Sequence, residues 1–321
     1  MSEILVVTSP GGKQCTLLLP LLYNKGKFKL RLATHSESTT SRLRAAYPDA
    51  EIRQTDLTSE SACRSLLHGA TAVYHVGPSF HSREEEIGKN MTDAAVVESQ
   101  RPGNVFKHFV FSSVLGTQHR NLIQHDLKSR IEERLFLSPI NWTVMQPTNF
   151  LDTFPVAQLA ALDKPALEWM WNPIHPNSVI ALRDLAEASA KVLNEREKHY
   201  LAQYPLCSTL PISDGEIAVV VGKYLGKEVE IKTPTFEGGV DCLLTSLYGD
   251  TKSGLFTGNK SEQLGPSAEG DSRPDIVRDR AEKLVLFYNR RGLVGSPNVL
   301  RWLLGREPTT VDEWVRSELR R

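Results

Sequence analysis

Apolar and polar positions along this chain follow two alternating rhythms. Ile4-Leu5-Val6-Val7 is a short, wholly apolar run, the signature of a strand buried on both faces. It meets a Pro-Gly-Gly turn and then an apolar stretch with helical spacing, which Pro20 should kink. Phe28, Leu30 and Leu32 alternate with Lys29 and Arg31, the period of a strand. The pattern then predicts helices over 39–47, 59–68, 84–99 and 127–137, separated by strands over 51–55, 71–76, 108–112 and 142–146. Strands joined by crossover helices imply a parallel sheet covered on both faces. The expected fold is α/β, a doubly wound, mostly parallel Rossmann-like sheet over residues 1–150.

Beyond Pro147 the rhythm loosens. Residues 151–321 read as a smaller, mainly helical domain whose later segments return to the sheet. Short strands are expected over 200–206 and 228–232, and helices over 276–289, 298–304 and 311–319. The stretch from about 251 to 274 is rich in Gly, Ser, Lys and Glu and reads as a mobile loop.

Composition narrows the function classes. In 321 residues, 38 Lys and Arg balance 38 Asp and Glu, which argues against a general nucleic-acid binder. Cys15, Cys63, Cys207 and Cys242 are scattered without metal-ligand spacing, so no metal is expected and the thiols read as reduced. The early apolar runs fall short of the ~20 residues that span a bilayer. These features predict a soluble, cytoplasmic protein with no membrane or nucleic-acid partner.

Chemistry enters at the strand ends. Thr8-Ser9-Pro10-Gly11-Gly12-Lys13-Gln14 joins the first strand to the first helix, where backbone amides and a helix N-terminus can hold a phosphate. The same glycines are also plain turn chemistry. After the second strand comes Thr34-His35-Ser36, without the carboxylate that an NAD-type site places there. Hydroxyls, an imidazole and nearby Lys13 suit a 2′-phosphate; equally, the three residues can cap the next helix. Asp56 and Leu57 follow the third strand and Gly77 the fourth. All three join Thr8, Gly11, Gly12, Lys13, Gln14, Thr34 and His35 as candidate cofactor-binding residues, with Asp56 alternatively a helix cap.

The opening turn resembles a degraded TGATGxQG motif of NmrA-like proteins, which are atypical short-chain dehydrogenase/reductases. Four further stretches carry the resemblance: Phe109-Val110-Phe111-Ser112-Ser113-Val114, Asp126-Leu127-Lys128, Trp142 to Phe150, and Arg183-Asp184-Leu185-Ala186. The ending Leu303-Leu304-Gly305-Arg306-Glu307-Pro308 with Trp314-Val315 is similar too. The resemblance implies a Rossmann-like domain, a smaller second domain and a substrate cleft between them. It also implies NADP(H) as cofactor, and either reduction of small molecules, often in fungal secondary metabolism, or cofactor sensing that regulates a protein partner. Ser9 and Cys15 depart from the family glycines, His35 from its arginine, and Gln124 from the Tyr of the superfamily YxxxK motif.

Without that Tyr, Lys128 becomes the expected proton donor, as in the related isoflavone-reductase-like enzymes, with Ser112 or Ser113 bonding the oxyanion. His125 and Asp126, within a turn of Lys128, could act as acid and base. Phe80, Phe150, Phe154, Trp169 and Trp171 form either an apolar substrate pocket or core. The run Glu84-Glu85-Glu86 reads as a solvated helix start. Three functions follow: an NADPH-dependent reductase of a small apolar metabolite, a non-redox dehydratase, isomerase or cyclase, and a non-enzymatic NADP sensor.

Overall fold

The computed structural model describes residues 3–78, 81–248 and 274–320. The loop expected from about 251 to 274 lies, up to its last residue, outside the described residues, as does Phe80. The chain divides into two compact units. Among the described residues, the first contains 3–78, 81–146 and 185–204; the second contains 147–184, 205–248 and 274–320.

In the first unit, β1 (Glu3–Thr8), β2 (Phe28–Thr34), β3 (Glu51–Gln54), β4 (Ala72–Val76), β5 (His108–Ser112) and β6 (Trp142–Pro147) alternate with helices. The helices are α1 (Lys13–Leu22), α2 (Glu37–Ala46), α3 (Glu60–Leu67), α4 (Glu84–Gln100) and α5 (Ile123–Phe136). The spatial order is β3-β2-β1-β4-β5-β6, and Ala202–Leu206 adds a seventh strand beyond β6. The α/β Rossmann-like expectation therefore holds. Chain order reverses between β1 and β4, the switch point at which such sheets leave a crevice beyond their carboxyl ends.

Both faces of this sheet are covered, which is why its central strands read as continuous apolar runs. Val6, Val73, Phe109, Phe111 and Val144 pack in one cluster with Leu66, Met91, Ala95, Ile131 and Leu135 from the helices. Arg31 of β2 is buried too, its guanidinium donating to Glu51 Oε2 at 2.7 Å and to the carbonyls of Leu66 and His68, each at 2.8 Å. Pro20 does not end α1, which continues to Leu22. A proline this late in the helix removes its N–H only from the last turns.

Two differences from the sequence reading matter for the site. α5 begins at Ile123 rather than 127, so Gln124, His125, Asp126 and Lys128 ride on one helix. Glu84 is not solvated: it opens α4 with its side chain fully buried. α4 and α5 approach each other at Gly88, where a Cβ would stand 2.6 Å from Ile131 Cγ1 and 2.8 Å from Cγ2. Gly88 lies one turn beyond Glu84, and Ile131 one turn beyond Lys128.

The second unit holds two small parallel pairs, Asn149–Phe150 with Val179–Ile180 and Ala166–Glu168 with Glu230–Lys232. The expected strand over 228–232 thus pairs here rather than in the main sheet. Buried Asp184 joins distant segments by accepting from Ser208 Oγ at 2.7 Å, Arg306 at 2.9 Å, Thr309 N at 2.7 Å and Thr309 Oγ1 at 2.8 Å. Among the described residues no helix is long and apolar enough to cross a membrane.

A methyl at Gly88 has no room, because Ile131 is β-branched and fully buried. Gly88→Ala should destabilise the chain by about 1–3 kcal/mol in urea unfolding. Adding Ile131→Val should recover part of that loss.

Candidate functional site

The turn after β1 is built around one strained residue and one glycine. Ser9 adopts φ +50°, a left-handed conformation that costs a non-glycine residue energy, and its Oγ donates to Val76 O at 2.9 Å. Gly12 is the N-cap of α1, with no side-chain cap bond. A Cβ there would lie 3.2 Å from Ser9 O. Gly11 is buried beside it and Lys13 is exposed. The first turn of α1 therefore presents amides and the positive end of its dipole without a capping side chain, an arrangement suited to an anion. Gln14 reaches across to β5, its Oε1 accepting from Ser112 Oγ at 2.7 Å.

Cys15 points away from the turn. It stands where the family has glycine, but its fully buried thiol faces Thr8 O at 3.6 Å, and burial pushes that thiol up to about 12. Its side chain fills the seam between α1 and β1 rather than obstructing the turn.

Beyond β2 the three candidates separate. Thr34 Oγ1 is buried against Thr40 Oγ1 at 2.6 Å, and Ser36 caps α2 by accepting from Thr39 N at 3.3 Å. His35 is half-buried, and its Nδ1 is buried with no hydrogen-bond partner among the described residues. Asp56 accepts from Thr58 N at 2.9 Å and Thr58 Oγ1 at 2.7 Å, while Ser59 caps α3. Leu57 offers its carbonyl to Asn90 Nδ2 at 3.2 Å.

The switch point carries the densest polar chemistry. Thr8 Oγ1 donates to Val76 O at 3.1 Å, accepts from Val76 N at 2.8 Å and meets His75 Nδ1 at 3.0 Å. Because the threonine proton goes to Val76 O, the hydrogen of the imidazole contact is assigned to Nδ1, leaving Nε2 a bare acceptor. His75 is fully buried and stacks on Phe111 at 5.7 Å. Burial, reinforced by Lys128, pushes it down to about 3, so it is neutral. Lys128, only 5% exposed, forms an ion pair with the fully buried Glu84 and lies 6.0 Å from the Phe111 ring centre.

The other catalytic candidates are committed elsewhere. Ser113 Oγ donates to Glu132 Oε1 at 2.5 Å; Thr117 and Gln146 add bonds to the same buried carboxylate at 3.1 and 3.0 Å. Ser112 donates to Gln14, so neither serine holds a spare hydroxyl proton for an oxyanion. His125 bonds Gly116 O through Nδ1 at 3.0 Å, and burial pushes it down to about 4. Asp126 faces outward between Arg120 at 2.6 Å and Arg130 at 2.9 Å. Sequence reasoning missed Glu84 and Glu132. Both lie on helix faces whose burial depends on a neighbouring helix or strand, and neither stands in a motif.

In the second unit three of the aromatic candidates pack in a chain of rings. Phe154 and Trp169 meet at 5.2 Å, Trp169 and Trp171 at 6.1 Å, and Trp171 stacks on Tyr288 at 4.3 Å. Phe154, Trp169 and Trp171 are buried, and Phe150 is half-buried. Trp171 Nε1 donates to buried Asp214 Oδ2 at 2.9 Å, and burial pushes this carboxyl up to about 6.

The NmrA-like family model matches residues 1–238. The fold is similar to Citrobacter sp. triphenylmethane reductase complexed with NADP(H), at 17% identity over 99% of both chains and a TM-score of 0.73. It is also similar to the Escherichia coli NADPH-dependent quinone oxidoreductase QOR2 complexed with NADPH. There the identity is 19%, the coverage 98% of this chain and 99% of that one, and the TM-score 0.69. NmrA, a negative transcriptional regulator in complex with NAD, aligns at 15% identity over 98% of this chain and 94% of its own, with a TM-score of 0.64. No curated protein matches this chain in sequence.

Two expectations follow from the site. Ser9→Gly relieves the left-handed strain but removes the bond to Val76, so unfolding stability should change by less than about 1 kcal/mol. Cys15→Gly empties a packed position within a helix and should lose about 1–3 kcal/mol in the same denaturant assay. A further expectation concerns pH. A carboxyl raised from 3.8 to about 6 binds its proton more tightly in the folded state. Its stabilising contribution is therefore complete below its unfolded value and is lost as pH rises through about 6. The stability of the wild type minus that of Asp214→Asn should fall between these limits and then level off.

Proposed function

We propose that this chain, which belongs to the NmrA-like family, binds NADP(H) at the carboxyl edge of its main sheet and uses it to reduce a small, largely apolar metabolite. One observation carries the reading: the uncapped first turn of α1 at Gly12 follows β1, and the buried Lys128 pairs with Glu84 beside the end of β4, the strand next to β1 at the switch point. Solved structures of this fold with NADP(H), NADPH and NAD support it.

The residues fit a dinucleotide. Gly11, Gly12 and the amides of α1 would hold its pyrophosphate. Residues 33–36 contain no carboxylate to repel a 2′-phosphate, and His35 Nδ1 and the exposed Lys13 offer it partners, which favours NADP(H) over NAD(H). When bound, the dinucleotide supplies the hydride. Lys128 supplies what the carbonyl oxygen then needs, an ammonium group held away from water, where its charge acts strongly. Gln124, one turn away on α5, has no acidic proton to give. The commitments of His125 and Asp126 count against the non-redox reading.

A second reading, an NADP-sensing regulator with a protein partner, is favoured by the pairing of Lys128 with Glu84, which offsets the charge a reductase would use. Fluorescence titration and turnover separate the two. NADPH should bind roughly tenfold more tightly than NADH, and quinones or ketones should be reduced. Lys128→Met should lower turnover by about 10²–10³ while NADPH still binds. Binding without turnover of any quinone or ketone transfers the case to the regulator. Absence of NADPH binding removes both readings.

A further inference from the structure

Lys128 sits among more acceptors than it satisfies. Glu84 uses Oε1 for the ion pair, yet its Oε2 is buried with no hydrogen-bond partner among the described residues. The same holds for Gln124 Oε1, on a side chain 6% exposed and one helical turn from Lys128, and for His75 Nε2 on a fully buried ring. Such atoms are costly to leave unmade, so their occurrence on the lysine's ion-pair partner, on a buried neighbour and one helical turn from the lysine calls for a common explanation. Gly77 stands beside two of these side chains. The nearest atoms to a Cβ on it would be Glu84 Oε1 at 3.9 Å and Glu84 Cγ and His75 Nε2, each at 4.0 Å. The glycine leaves space beside both side chains at the carboxyl end of β4.

The charges in this cluster cancel. Glu84 answers Lys128, while His75 and His125, which both feel the lysine's charge, are kept neutral by burial. A carboxylate entering here would gain the ammonium but face Glu84 Oε2, Gln124 Oε1 and a bare imidazole nitrogen. An uncharged group with both a donor and an acceptor faces no such conflict.

We propose that Lys128, Glu84, Gln124 and His75 form a socket for an alcohol, phenol or primary amide, and that Glu84 is the residue that makes it reject carboxylates. This deepens the reading above and rests on it, because it names the chemistry that Lys128 receives at the carboxyl edge. The ligand accepts from the lysine ammonium and donates to Glu84 Oε2 or Gln124 Oε1. The donor could come from a substrate or from hydroxyl and amide groups of the dinucleotide, and the test separates these sources.

Benzamide, benzyl alcohol and benzoate share a ring and similar size, and serve as probes in ligand-observed NMR on the full chain, without and with saturating NADP⁺. The wild type should bind the two neutral probes roughly tenfold more tightly than benzoate, since mismatched polar groups are what such a site rejects. Glu84→Gln leaves the ammonium uncompensated and should raise benzoate affinity roughly tenfold, cancelling the preference. Gly77→Ala places a methyl in the socket and should weaken all three probes without lowering the melting temperature. Competition by NADP⁺ would identify the cofactor as the source of the donor; additive binding would identify the substrate. Neutral-probe selectivity in a protein that binds no NADP⁺ would remove the proposed function and keep the socket. The socket itself is overturned by equal or preferred binding of benzoate, by failure of both neutral probes to bind, or by an unchanged ratio in Glu84→Gln. Should Glu84→Gln not fold, unchanged probe binding in Gly77→Ala overturns it equally.

Discussion

Lys128 and Glu84 are opposite charges that meet where neither is solvated, and the first unit is arranged so that they can. Moving either ion out of water costs about several kcal/mol, which only close pairing offsets. The pairing needs α4 and α5 nearly in contact, which the missing side chain at Gly88 allows against Ile131. It also needs α5 to start early enough to carry Lys128 toward the carboxyl edge, and α4 to place its first residue inward. A hydrophobic pair of the same volume would serve the core at least as well. What it could not do is hold a lysine ammonium beside the switch point of a nucleotide-binding fold.

The strand order itself was largely legible in the sequence. Runs such as Ile4 to Val7 and His108 to Ser112 are too apolar and too short for anything but strands covered on both faces, and right-handed crossovers then determine the winding. The strand at Ala202–Leu206 was visible as a strand, while its place beyond β6 depends on pairing across a long stretch of chain. The strand near Glu230 was visible too, and pairs with Ala166–Glu168 instead, for the same reason.

The site was legible in its residue types and much less so in their directions. Ser9 and Cys15 both departed from the family's glycines, but one takes the left-handed conformation itself and the other turns into the interior. Glu84 looked like any acidic residue at a helix start, because three glutamates in a row suit the helix dipole whether or not the first is buried. Ser112 and Ser113 stood where an oxyanion would need them, yet their protons go to Gln14 and Glu132. Sequence shows which groups are present at an edge. Which of them remain unpaired is decided by side chains from other elements.

The bond between Thr8 and His75 joins residues 67 apart in the chain, across the seam where β1 and β4 pair. During synthesis the glycine turn therefore leaves the ribosome long before the strand that steadies it. Lys128 emerges later still, and the last strand of the sheet after that. Such non-local pairing is slow to form, because the intervening chain must be closed before any contact rewards it. The nascent protein must carry β1 with one edge open until β4 has been made, and an incomplete sheet until Leu206 follows, so the same topology that creates the crevice leaves strand edges exposed to chaperones or to mispairing until the sheet closes.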